Sequence, residues 1–261
     1  MKVVLFCGGM GMRMREASEA LPKPLVCVGD RPILLHLMKY YAHHGHKEFI
    51  LCLGYKGEAI KDFFLNYNER LANDFTLGNG CRDVTLLNNE MKDWTISFVN
   101  TGLNSNIGMR LKAVEKYLNG DECFLANYAD GLADVPLPEV VGDFHKCGKI
   151  ASFVSIRPKQ TFHVVDSAED GTVRCIEEMA GSGIWINGGF FVFKREIFKY
   201  IKEGDELVNE PFQRLIAENQ LHTYQHDGFW ACMDTFKEKQ QFDDLYARGN
   251  MPWAVWQESP C

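Results

Sequence analysis

The chain has 261 residues, 46% of them hydrophobic and 12% aromatic. That is enough for a large buried core, and the length suits one α/β domain, alone or with a small appendage. Its net charge of −7 argues against a general nucleic-acid binder. The nine cysteines are scattered with no C-x-x-C, as expected of reduced thiols in a cytoplasmic protein rather than of a disulfide frame or a zinc site. Met1-Lys2 runs directly into an apolar stretch, so no signal peptide is expected. No apolar run approaches the roughly 20 residues that span a bilayer.

The opening is the most informative stretch. Val3–Phe6 reads as one buried parallel strand, and Gly8, Gly9 and Gly11 follow at once. Glycines let main-chain N–H groups approach a ligand, and Arg13, Arg15 and Lys23 add positive charge, with Lys23 held between two prolines. Strand, glycine loop and cations together describe a phosphate cradle. It is not a P-loop, because no G-K-[ST] follows, and the spacing is not G-x-G-x-x-G. A plain turn after a first strand remains equally open from these residues alone.

Residues 31–45 read as a helix with an apolar stripe that Gly45 can end. His36, His43, His44 and His46 gather here, and without an acid or Cys at ligand spacing they read as a wet helix end. A strand over 48–54 and a helix over 55–67 follow, and this β–α–β–α order implies parallel strands with right-handed crossovers. Residues 70–93 are polar and read as irregular, either an excursion or an oligomer arm. A strand is expected over 94–99, then a loop and helix over 100–114 that carries Arg110.

Residues 123–126 read as a buried strand with Asp130 just past its carboxyl end. Ligands of open α/β sheets bind at that edge, and Mg²⁺ takes one or two carboxylates plus substrate oxygens. A turn aspartate before Gly131 is the alternative. A helix over 140–147, a strand over 150–156 and two strands over 162–166 and 172–177 follow. Residues 186–192 form a strand with a Gly188-Gly189 bend. Helices are expected over 195–204, 210–219 and 235–247, with a strand over 221–225. Asp234 reads either as a second carboxylate for an ion or as the N-cap of the last helix. The tail MPWAVW reads as a docking or interface segment.

The motifs taken together resemble the sugar-1-phosphate nucleotidyltransferases. GGMGMRMRE…LPKPL is similar to their G-G-x-G-T-R-L…K-P signature, with Met12 in place of Thr. The resemblance implies that Phe6, Gly8, Gly9, Gly11 and Met12 line the nucleotide, that Arg13 holds the outgoing phosphates and that Lys23 holds the reacting one. NTGLNSNIGMRLKAV resembles D-T-G…T-G-G-R-L-K-R-V, which puts Arg110 near the nucleotide. YADG and MDT resemble the segments whose aspartates carry the metal, here Asp130 and Asp234. INGGFFV is an intact match to the acceptor segment, which gives Asn187 and Gly188 to the acceptor. GYKGEAIKDFF, GFWACMDT and PWAVW are closest to the glucose-1-phosphate cytidylyltransferase branch.

The family implies a Rossmann-like, GT-A type α/β fold: a mixed, mainly parallel sheet flanked by helices with a small added β subregion for the acceptor. Residues 1–135 would form the nucleotide-binding half and 136–261 the acceptor half of one domain. It implies transfer of a cytidylyl group from CTP to a phosphorylated acceptor with Mg²⁺ as cofactor, pyrophosphate release and a CDP-linked product. It further suggests a homo-oligomer serving surface-polysaccharide or capsule synthesis, with no nucleic-acid or membrane partner. The family's E-K-P element is Glu177-Glu178-Met179 here, and His163 replaces a small Gly. An acid where the family has a cation would repel the acceptor phosphate by about 1–4 kcal/mol at ~4 Å, unless Arg157 or Lys159 substitutes. Glu178 and His163 therefore leave a non-sugar acceptor open, for example an amino-acid phosphate such as phosphoglutamine, whose amine Glu178 could pair. A nucleotide-binding relative without turnover is the remaining alternative.

Overall fold

Val3–Phe6 has no residue above 6% exposed, and its side chains alternate between two separate cores. Val3 and Leu5 face one cluster, which holds Leu34, Leu37, Tyr40 and Trp253. Val4 and Phe6 face the other, which holds Leu111, Phe124, Phe193 and Phe212. A four-residue apolar run needs cover on both faces, and a helix-flanked sheet supplies it. The structure, a computed structural model, describes residues 1–9, 21–158 and 163–257.

In chain order, β1 (Val3–Phe6) is followed by the short pair β2 (Cys27–Val28) and β3 (Arg31–Pro32), then α1 (Ile33–His43), β4 (Glu48–Leu53) and α2 (Gly57–Leu65). Next come α3 (Glu69–Ala72), the hairpin β5 (Phe75–Gly78) and β6 (Asp83–Leu86), then β7 (Thr95–Asn100) and α4 (Ile107–Val114). β8 (Cys123–Tyr128), β9 (Gly131–Ala133), α5 (Leu137–Cys147) and β10 (Ala151–Ile156) lead to a second hairpin, β11 (His163–Ser167) and β12 (Val173–Glu178). The chain continues through β13 (Ile186–Asn187), β14 (Phe191–Lys194), α6 (Glu210–Ala217), β15 (Leu221–His226), β16 (Trp230–Cys232) and α7 (Phe236–Ala247).

The central sheet runs β15, β10, β14, β8, β1, β4, β7, with β13 beside β14 on the same flank of β10. β1 is parallel to β4 and β8, β4 to β7, and β10 to β15, while β14 runs against both β8 and β10. The carboxyl ends of β1, β4, β7, β8, β10 and β15 therefore share one edge. β8, from the first half of the chain, pairs with β14 from the second, so one sheet spans both. Among the described residues no helix is long and apolar enough to cross a membrane.

Three local expectations change, and the tail takes the docking role of the two expected for it. Residues 70–93 are not irregular throughout: they contain α3 and an exposed antiparallel hairpin. The helix expected over 195–204 is a single 3₁₀ stretch, Arg195–Lys199. His36 is not at a wet helix end. It is 4% exposed, its Nε2 meets the Val28 carbonyl at 3.0 Å and its Nδ1 lies 3.4 Å from Trp253 Nε1. The tail docks on its own chain: Trp253 is 1% exposed and packs edge-on against Phe242 at 5.4 Å.

Candidate active site

The short ladder between β9 and β16 assembles the centre. It is antiparallel and pairs Gly131 with Cys232, and Met233 N donates to the Asp130 carbonyl at 2.8 Å. Asp130 and Asp234 thus lie diagonally across one pairing at the ladder's end. Lys23 reaches both from a 3₁₀ turn, Lys23–Leu25, which Pro22 and Pro24 stiffen. Its Nζ donates to Asp130 Oδ2 at 2.6 Å and to Asp234 Oδ1 at 2.5 Å. Burial alone would lower the Lys23 pKa, but the two carboxylates outweigh it and raise the pKa above 10.5.

Asp234 is not the N-cap of α7. Thr235 takes that place in a capping box with Glu238, whose Oε2 accepts from both Asp234 N and Thr235 N. The helix start is satisfied by its neighbours, and the Asp234 carboxylate is directed to Lys23. Cys232 sits beside it, its thiol pushed up to about 12 by burial and by the Asp234 charge.

The glycine loop after β1 is braced from beneath by Arg110. Asn106 caps α4 by accepting from Met109 N, which sets Arg110 in the first turn. The guanidinium is buried, at 2% exposure. Nη2 donates to the Gly8 carbonyl at 2.6 Å, and Nη1 to Thr101 Oγ1 at 2.8 Å and the Gly102 carbonyl at 2.9 Å. A Cβ on Gly8 would lie 2.2 Å from Nη1, and one on Gly54 2.6 Å from it. These two positions are glycine because the guanidinium lies against the backbone. Arg110, expected near the nucleotide, here gives its donors to the main-chain oxygens of Gly8 and Gly102 and to the Thr101 hydroxyl, and so ties together the loops that follow β1 and β7. Phe6 lies under the loop with its ring 6.1 Å from that of Tyr128, and Gly9 is exposed. Gly11, Met12, Arg13 and Arg15 lie outside the described residues.

On the acceptor flank, β13 and β14 are one strand interrupted at Gly188–Phe190. Gly189 (φ +79°) and Phe190 (φ +49°) are both left-handed. Asn127, 2% exposed, holds this kink: its Oδ1 accepts from Tyr128 N at 2.9 Å and Phe190 N at 3.0 Å. A Cβ on Gly189 would stand 2.4 Å from that oxygen. Asn187 Oδ1 accepts from Gly189 N at 2.9 Å, and its Nδ2 reaches Tyr128 Oη at 3.4 Å. Gly188 carbonyl accepts from the Trp230 indole at 2.8 Å. Asn127 and Trp230 were not singled out from sequence. Trp230 lies in GFWACMDT and Asn127 immediately before YADG, but nothing in a linear reading pairs them with INGG.

His163 and Glu178 lie opposite one another in the β11–β12 hairpin. Both are exposed, and the hairpin forms its own two-stranded sheet without pairing to the central one. The structure thus places these two expected acceptor residues together, but not beside Asn187 and Gly188 in the sheet.

A family profile described as nucleotidyl transferase matches residues 2–237. The chain belongs to the nucleotidyl transferase family. It is similar to the glucose-1-phosphate cytidylyltransferase of Salmonella typhi, 38% identical over 260 residues that cover 98% of this chain and all of that one. It is also similar to the mannose-1-phosphate guanyltransferase of Hypocrea jecorina, 26% identical over 88% of this chain and 60% of the other. In fold it is similar to a UDP-glucose pyrophosphorylase solved with UDP-glucose, at a TM-score of 0.70 and 16% identity over 95% of this chain and 98% of that one.

A nucleotidyl transferase of this family uses a divalent ion, and the acidic pair fits one. Among the described residues no group of three or more His, Cys, Asp or Glu gathers. Mg²⁺ needs only one or two carboxylates when substrate oxygens complete its shell. Asp130 and Asp234 already converge within 2.6 Å of one cationic nitrogen, a spacing that one small cation can share.

Proposed function

We propose that this chain transfers a cytidylyl group from CTP to glucose 1-phosphate, forming CDP-glucose and pyrophosphate. The observation that carries this is the convergence of Asp130, Asp234 and Lys23 at the sheet edge beside the Gly8 loop. The full-length similarity to glucose-1-phosphate cytidylyltransferases supplies the base and the acceptor.

An oxygen of the acceptor phosphate attacks the α-phosphorus of CTP, the bond from that phosphorus to the bridging oxygen breaks, and pyrophosphate leaves. No general base is needed, since a phosphate monoester with a second pKa of about 6 is already a dianion near neutrality. Mg²⁺ held by Asp130 and Asp234 would supply charge neutralisation at the reacting phosphate. Lys23 would turn its ammonium from the carboxylates to the α-phosphate as negative charge builds there. The Gly8 and Gly9 backbone would approach the nucleotide, held in place by Arg110, and Arg13 would take the outgoing pyrophosphate. Asn187 and the Gly188 bend would receive the acceptor. Most of the rate then comes from positioning and charge neutralisation.

The reading extends to a homo-oligomer in the cytoplasm that feeds surface-polysaccharide or capsule synthesis. Phe75, Leu77 and Leu87 are 41%, 49% and 67% exposed on and beside the β5–β6 hairpin, and such side chains suit a contact between copies. Light scattering of the purified protein tests the oligomer.

The deciding assay is pyrophosphate release with Mg²⁺ and either CTP or UTP. The acceptor panel is glucose 1-phosphate, other hexose 1-phosphates and phosphates of small amino acids. Release with CTP and glucose 1-phosphate is expected. Release only with an amino-acid phosphate would replace the acceptor, and CTP binding without release from any acceptor would end the enzymatic reading.

A further inference from the structure

The carboxyl ends of β10 and β15 carry a cluster that the phosphate chemistry does not use. Arg157 follows Ile156, and Asp227 follows His226, its parallel partner across the ladder. Arg157 Nε donates to Asp227 Oδ1 at 2.7 Å, and the guanidinium lies 4.6 Å from the centre of the Trp185 ring. As a device for holding the fold together this is weak. The two charged side chains are 41% and 69% exposed, and exposed ion pairs contribute little to stability.

Its surroundings are held firmly, however, and they lead to the reacting centre. Trp185 precedes Ile186 and Asn187, which pair with Ile156 and Ser155. Asn187 is tied to Tyr128 and to the Gly189 backbone. His226, next to Asp227, bonds Asp134 Oδ1 at 2.7 Å, and the same oxygen accepts from Phe229 N at 2.8 Å. Trp230, on the segment that leads to Asp234, is fixed to Gly188. The cluster shares its sheet edge with Asp130, and only β14 stands between β8 and β10. Two strand spacings of about 4.8 Å put roughly 10 Å between those strands. An acceptor whose phosphate meets Asp130 and Asp234 would extend its other end along this edge.

The chemistry of the cluster selects what it can hold. The guanidinium donates, the carboxylate accepts, and the pair has no net charge. The hydrogen bond to Asp227 uses Nε and leaves both Nη groups outside it. An indole beside them offers a flat apolar surface. Sugar hydroxyls both donate and accept, and the C–H face of a sugar ring packs on an aromatic ring. A second phosphate would meet repulsion from Asp227.

We propose that Arg157, Trp185 and Asp227 read the hydroxyl groups of the acceptor sugar that lie remote from its phosphate. This rests on the sugar 1-phosphate reading above and assigns the residues that set its selectivity. It also gives the acceptor flank a polar reader where Glu178 and His163 lie on a separate hairpin.

The test is steady-state kinetics of Arg157→Met and Asp227→Asn with CTP, using glucose 1-phosphate and its 4-deoxy and 6-deoxy analogues. Each variant should raise KM for glucose 1-phosphate about tenfold, the effect of losing one or two hydrogen bonds to a bound neutral group. KM for CTP should stay within about twofold, and the thermal midpoint should not move, since the pair is exposed. One deoxy analogue should show a clearly smaller penalty in the variant than glucose 1-phosphate does, because the hydroxyl being read is already gone. Wild-type release with glucose 1-phosphate and an unmoved KM in both variants overturns the cluster alone. A parallel rise in KM for CTP also overturns it, as a general distortion. Release by the wild type from an amino-acid phosphate but not from glucose 1-phosphate overturns the sugar reading and the hydroxyl assignment together.

Discussion

The carboxylates of Asp130 and Asp234 converge on the same ammonium group, that of Lys23, at 2.6 and 2.5 Å. One aspartate lies in the turn between β8 and β9 and the other follows β16. The β9–β16 pairing alone brings them together. A site that holds two negative charges in contact needs a cation at all times, and in the ligand-free protein Lys23 is that cation.

Replacing either aspartate should abolish most turnover while leaving the fold intact. Asp130→Asn and Asp234→Asn should each lower pyrophosphate release on the order of a hundredfold or more. Circular dichroism should match the wild type. Activity within a few fold of the wild type would remove the pair from the chemistry.

Lys23→Met should destabilise the ligand-free protein and make it more responsive to metal. The two carboxylates would face each other without their cation, which costs about 1–2 kcal/mol at this partial exposure. Added Mg²⁺ should raise the thermal midpoint more in the variant than in the wild type. Equal metal responses would show that Lys23 does not occupy the position an ion takes.

Arg110→Met should damage stability as well as activity. The substitution removes the donors from the Gly8, Gly102 and Thr101 oxygens in a buried setting. Leaving buried acceptors unsatisfied costs about 1–3 kcal/mol each, so a loss of several kcal/mol in urea unfolding is expected. An unfolding midpoint equal to the wild type, with only a raised KM for CTP, would make Arg110 a nucleotide ligand and not a brace for the loop.

Stability should fall on mild acidification because His36 is buried neutral. Burial lowers its pKa below 6.5, and the charge of Lys39 adds to this, while the bond to the Val28 carbonyl opposes it. The unfolded chain takes up this proton near pH 6.5 and the folded chain only at lower pH. Stability is therefore fully present above 6.5 and declines as pH falls toward the folded pKa, by up to about 1.4 kcal/mol per pH unit. His46, lowered to about 4 by burial and by the N-terminal ammonium, titrates in the same direction. Urea unfolding at pH 7.5 and 5.5 should show the drop, and His36→Asn should make it smaller, with the His46 share remaining. A flat wild-type profile would contradict the buried neutral state.

The sequence by itself determined the alternation of strands and helices, because apolar runs such as Val3–Phe6 can be satisfied only between two covered faces. It also marked Gly8, Lys23, Asp130 and Asp234 as candidates, since they lie in stretches whose local chemistry and family likeness agree, and the structure brings Lys23, Asp130 and Asp234 into contact. The tertiary structure decided what each group faces. Arg110 stands at a helix start, and only the tertiary structure shows it buried against Gly8 and Gly54 under the loop. Asp234 had an N-cap role open to it until Thr235 and Glu238 took the cap. Glu178 and His163 are neighbours only through hairpin register, and Arg157, Trp185 and Asp227 meet only because β10, β13 and β15 end on one edge. Local propensity acts over a few residues, so a linear reading finds elements and motifs. Burial, partner and charge environment are set by contacts between distant segments, and those depend on strand order and register.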